Sequence, residues 1–151
     1  MSSDLQIVNV RLCGGTGGES RSDIAYDEGF TLEIKYEVRH PVSGASIGIN
    51  LGSYDGTAIF ASSDLDGNPE RFGLRKPGRY TTNVRVPGRW LNTGRYILQA
   101  HATHANNHQI FDTAEPIAFN IVDTDSPGSF QVIKRRLGVL QPVLEWRVEG
   151  M

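Results

Sequence analysis

The chain carries one cysteine, Cys13, so no intrachain disulfide can form and the core alone must hold the fold. That usage suits a reducing compartment. No apolar run approaches the ~20 residues that a membrane-spanning helix requires, and residues 1–10 lack the basic stretch followed by an apolar one that marks a secretory leader. Both absences point to the cytoplasm, with any membrane association peripheral. Acidic residues are missing from 71–95, a stretch that holds Arg71, Arg75, Lys76, Arg79, Arg85, Arg89 and Arg95, although the whole chain has a formal net charge of -2. The overall sign and the lack of a binding motif disfavour nucleic acid. A phosphate-binding loop is missing too: Gly14-Gly15-Thr16-Gly17-Gly18-Glu19-Ser20 has neither the glycine spacing nor the lysine, so no nucleotide hydrolysis is expected.

What is present is alternation with a period of two. A chain of 151 residues suits one domain and can bury about 70% of its unfolded surface. Its 17 glycines and 7 prolines are spread out, and no window sustains a helical period. Residues 5–12 read as a first strand, ending in the glycine-rich stretch from Cys13 to Gly18, which is expected to be irregular. In 30–38 the pattern is clean: Phe30, Leu32, Ile34, Tyr36 and Val38 share one face, and Thr31, Glu33, Lys35 and Glu37 the other. Residues 47–51 form the next strand, with Gly48 and Asn50 outward; Tyr54-Asp55-Gly56 turns it into 58–61.

The polar stretch 64–76 is expected to be a loop over a sandwich edge. Strands then follow at 80–86, 95–103, 109–111 and 117–122, which makes eight in all, stacked as two antiparallel sheets. On 95–103, Tyr96, Leu98, Ala100 and Ala102 point one way, and Ile97, Gln99, His101 and Thr103 the other. The predicted class is therefore an all-β, two-sheet antiparallel β-sandwich spanning 1–125. Residues 126–151 are expected to be a linker and a C-terminal strand, patterned by Val139, Leu144, Trp146 and Val148, that completes the same domain or exchanges into a partner.

The order of features resembles a known family. Ile47-Gly48-Ile49-Asn50-Leu51 leads to Tyr54-Asp55-Gly56-Thr57-Ala58-Ile59-Phe60; Leu91-Asn92-Thr93-Gly94-Arg95-Tyr96-Ile97-Leu98 follows, then Ile117-Ala118-Phe119-Asn120-Ile121, and Gly138-Val139 through Trp146 closes the series. From about residue 5 to residue 148 this is similar to the C-terminal carbohydrate-binding domain of Wzt-type O-antigen ABC transporter ATP-binding subunits. The resemblance implies a jelly-roll or immunoglobulin-like sandwich that is not an enzyme. It would bind the often capped non-reducing end of an O-antigen polysaccharide and license export, in lipopolysaccharide assembly. The implied partners are the polysaccharide, the ATPase and membrane subunits of the transporter, and a second copy of the chain. The implied location is cytoplasmic and peripheral to the inner membrane.

A sugar site on a sandwich needs planar hydrogen-bonding groups on a stiff outward face. Asn50, Gln99 and His101 supply them, with Gly48 leaving room for a ring and Tyr54, His104 and His108 on the rim. Arg79 and Arg85 are candidates for an acidic sugar, a phosphate or a uronate. No cofactor and no metal are expected, since His101 and His104 face opposite sides of a strand and cannot converge without a bend. The acids Asp55, Asp64, Asp66 and Asp112 lie in turns, where capping outranks catalysis. Trp90 and Trp146 suit the core better than a sugar platform. The competing functions are a docking or dimerisation sandwich with no sugar site and a cupin-like metalloenzyme.

Overall fold

A computed structural model describes residues 4–14 and 22–123 together with Leu140 and Arg147. Its strands are β1 (Leu5–Gly14), β2 (Asp23–Ala25), β3 (Phe30–Val38), β4 (Ala45–Ser53), β5 (Ala58–Ser63), β6 (Gly78–Val86), β7 (Gly94–His104), β8 (Ile110–Thr113) and β9 (Ile117–Val122). A short 3-10 turn, Pro69–Phe72, lies between β5 and β6. Three strands form one sheet in the order β1-β3-β6; six form the other in the order β2-β9-β7-β4-β5, with β8 beside β7. Among the described residues no helix is long and apolar enough to cross a membrane.

Alternation accounts for the layering. The stripe Phe30, Leu32, Ile34, Tyr36, Val38 of β3 is at most 2% exposed, and it faces Ile47, Ile49 and Leu51 of β4 and Tyr96, Leu98 and Ala100 of β7. Phe119 of β9 packs on Phe30 at 5.0 Å and on Tyr96 at 5.7 Å between ring centroids, joining the two sheets. Each large side chain wholly buried here contributes about 1.5–3 kcal/mol relative to exposure.

The structure departs from the sequence reading in three places. β1 runs on through Cys13 and Gly14, because they pair with Thr31 and Phe30 of β3; a ladder partner outweighs the glycine's entropy. The segment β2 was missed, being too short to show a period, and it pairs parallel with β9, so the six-stranded sheet is mixed rather than purely antiparallel. The loop 64–77 is not merely solvated: it contains the 3-10 turn and the buried Arg75, whose backbone bridges to Val42. The expected linker and final strand, with Val139, Leu144, Trp146 and Val148, lie outside the described residues; Leu140 forms an antiparallel bridge with Leu91.

The two sides of the sandwich are closed differently. At the β1 side a bulge between Ile7 and Asn9 turns the strand, and the Ile7 amide donates to Asp112 Oδ2 at 2.7 Å, tying β1 to β8 of the other sheet. At the β5 and β6 side these two edge strands and the loop 64–77 line a cleft.

Candidate functional site

Asn50 and Gln99 are direct cross-strand partners on β4 and β7, and His101 pairs with Gly48 in the same ladder. All three lie on the outer face of the six-stranded sheet, because Ile49, Leu51, Leu98 and Ala100 between them take the inner face. Asn50 is exposed, whereas Gln99 and His101 are half-buried. The Gln99 amide nitrogen donates to Ala114 O at 3.0 Å, across the break where β8 ends and β9 begins. The room at Gly48 is filled from within the protein: a Cβ there would stand 2.8 Å from His101 Cε1 and 2.9 Å from Ser62 O, so the imidazole lies over the glycine. His101 Nδ1 is buried without a hydrogen-bond partner, and burial pulls the ring's pKa below its ordinary value, leaving it neutral near pH 7.

The other predicted residues are dispersed. Tyr54 stands at the turn after β4, about 13 Å along the strand from Asn50 by strand rise. It is 59% exposed, and the Arg95 guanidinium lies 4.6 Å from its ring centroid. His104 sits at a corner: a Cβ on Gly44, whose φ is +76°, would meet its Nε2 at 2.5 Å, and its Nδ1 accepts from the Asn106 and Asn107 amides at 3.3 and 3.4 Å. It shapes the β7–β8 turn rather than the outer face. His108 follows in that turn with φ at 60°. Arg79 and Arg85 are on β6, in the other sheet.

The outer face of that three-stranded sheet is a charge ladder. Arg11 pairs with Glu33 at 3.5 Å, Lys35 with Glu33 at 3.9 Å, and Arg39 and Arg79 with Glu37 at 3.2 and 3.4 Å. Arg85 donates to Glu28 O at 3.3 Å. The arginines of 71–95 thus do not form one anion-binding patch. Arg75 is 7% exposed, and its guanidinium holds Asp64 in a fork at 2.8 and 3.2 Å while also donating to Tyr36 Oη at 3.0 Å and Ala45 O at 2.8 Å. Asp64 Oδ1 accepts from the Ile47 amide at 3.1 Å, so this knot fastens the loop to β4.

Between β5, this loop and β6 lies a cleft of about 290 Å³ that sequence reasoning missed. Ile47, Ile49 and Val84 give it an apolar floor; Asn68 and Arg71 line it from the loop, Asn83 and Arg85 from β6. Asp66 on its wall accepts from Ser62 Oγ at 2.6 Å and the Ser63 amide at 3.1 Å, bonds that hold its carboxyl below the usual range. The only hint in the sequence was polar Ser62 and Thr82 on strands whose other inner positions are apolar. No group of three or more His, Cys, Asp or Glu side chains that could hold a metal occurs among the described residues.

Two stacked sheets, one of three strands and one of six, define an all-β sandwich. The Wzt C-terminal domain family profile matches residues 2–132, and the chain belongs to that family. A crystal structure of the C-terminal domain of Wzt superposes with a TM-score of 0.69, covering 97% of this chain and 84% of that one at 13% identity, a likeness of fold. No curated protein matches the chain.

Proposed function

We propose that this domain is a non-catalytic module that recognises an O-antigen-type polysaccharide, by its non-reducing end, for export by an ABC transporter. The carrying observation is the direct pairing of Asn50 with Gln99 and the placing of His101 over Gly48, on one outer face. These are neutral groups that exchange hydrogen bonds with hydroxyls, held on strands stiffened on both sides by neighbours. Tyr54, stacked by Arg95, extends the same sheet towards its end. On this reading the partners are the transporter's ATPase and membrane subunits. The location is the cytoplasmic side of the inner membrane, and the chain works as a homodimer whose residues 126–151 complete or exchange the last strand.

Titration calorimetry of the full chain against O-polysaccharide purified from the host bacterium's own lipopolysaccharide tests the reading. Weak, saturable binding is expected, and absence of saturation at millimolar sugar overturns it. The competing reading, a docking sandwich with no sugar site, draws on Leu74 and Phe72, which are 61% and 39% exposed in the loop 64–77. It predicts no heat with the polysaccharide.

A further inference from the structure

We infer that the cleft between β5 and β6 receives the terminal sugar of the polymer, and that this residue is neutral. The inference rests on the polysaccharide reading above and adds a place and a chemical class to it. Continuity with the outer face comes first. Gly48 pairs with His101 on one side and with Ser63 on the other, and Gly48 and Ser63 also line the cleft, so a chain lying across His101 reaches the mouth by crossing one edge strand.

Size and closure come next. A volume of about 290 Å³ stands at the lower end of ligand pockets, which run from about 300 to 1,000 Å³, so it takes a single ring-sized group rather than a run of polymer. One wall is the loop pinned by the Asp64–Arg75 fork, and that pinning makes the cleft a fixed shape. A fixed shape of this size discriminates an end from a mid-chain unit.

Chemistry decides the class. Asn68 and Asn83 carry amides that both donate and accept, Arg71 and Arg85 only donate, and Asp66, ionised by its bonds to Ser62 and Ser63, only accepts. Asp66 Oδ2 takes both of those bonds, and Oδ1 takes part in neither. Sugar hydroxyls satisfy donors and acceptors alike, over an apolar floor that suits a ring's C–H face. A phosphate or carboxylate would meet the Asp66 charge. Of the arginine-rich stretch only Arg71 and Arg85 line the cleft, and Arg85 donates to Glu28 O at 3.3 Å; Arg75 is held by Asp64, Arg79 by Glu37, and Arg95 lies over Tyr54.

The test uses the full chain, isotope-labelled, titrated with the host's purified O-polysaccharide while the side-chain amide signals are followed by NMR. Asn68 and Asn83 report the cleft; Asn50 and Gln99 report the outer face. The expected result is movement of both cleft signals and their loss when an exoglycosidase removes the polymer's terminal residue. Arg71→Ala and Asp66→Asn should each weaken binding about tenfold with little dependence on salt, the first with the thermal midpoint unchanged. Shifts confined to Asn50 and Gln99, with both variants binding as the parent does, overturn the inference and leave the polysaccharide reading standing. A steep fall in affinity with salt overturns the neutral-sugar assignment. No shift anywhere overturns the polysaccharide reading itself.

Discussion

Two arginines four residues apart, Arg75 and Arg79, have opposite surroundings. Arg75 is sealed between the sheets at the end of the loop, 7% exposed, with a carboxylate, a phenol and a carbonyl around its guanidinium. Arg79 stands on the outer face of β6 with its side chain 89% exposed, and it meets Glu37 at 3.4 Å in a ladder shared with Arg39. Both are ion pairs by distance. Only the first is costly to break, because removing one partner strands a charge away from water, whereas on the surface water and salt replace the lost partner. The lesson extends to the two outer faces. The three-stranded sheet spends its charges on itself, and the six-stranded sheet offers neutral amides.

The comparison can be broken by substitution. Arg75→Ala should lose about 3–5 kcal/mol of stability in denaturant unfolding, by leaving Asp64 buried without its cation and freeing the loop that walls the cleft. A loss no larger than that of a surface change would mean the fork is idle. A smaller effect is expected at His101. Its folded pKa is depressed by burial below the ordinary histidine value of 6.5, so the unfolded chain takes up the proton more readily. Stability is then unaffected above pH 6.5 and falls as pH drops below it, until the folded ring protonates too. His101→Gln should flatten that part of the pH profile of the thermal midpoint; an unchanged slope would show that the ring is not the group responsible. Smallest of all, Arg79→Gln should leave the midpoint within experimental scatter at moderate salt, since Glu37 keeps Arg39 at 3.2 Å. A clear loss would place Arg79 beside Arg75 and erase the contrast.

Much of the fold was legible because burial follows strand alternation directly. The inward stripe of β3, from Phe30 to Val38, and that of β7, from Tyr96 to Ala102, were read residue by residue, and so was the outward setting of Asn50, Gln99 and His101. What Gly48 leaves room for was not legible: the ring that occupies it belongs to His101, a neighbour only across the ladder. The same holds for His104, which looked like a rim residue and is bound into its own turn. The short β2 had no period to show, and only its parallel pairing with β9 makes it a strand.

The amino-acid sequence on its own determined which side chains go inside and that they do so on strands, because a period of two and the cost of exposing apolar surface are properties of each segment alone. The tertiary structure decided the rest. It set the loop residues Asn68 and Arg71 opposite Asn83 of β6 across a cleft, buried Arg75 against Asp64, and left Arg79 in water. The physical reason is that the strength of a charge or an amide depends on what surrounds it. For these residues the surroundings come from strands distant in the chain and from the gap between two sheets, which no local pattern encodes.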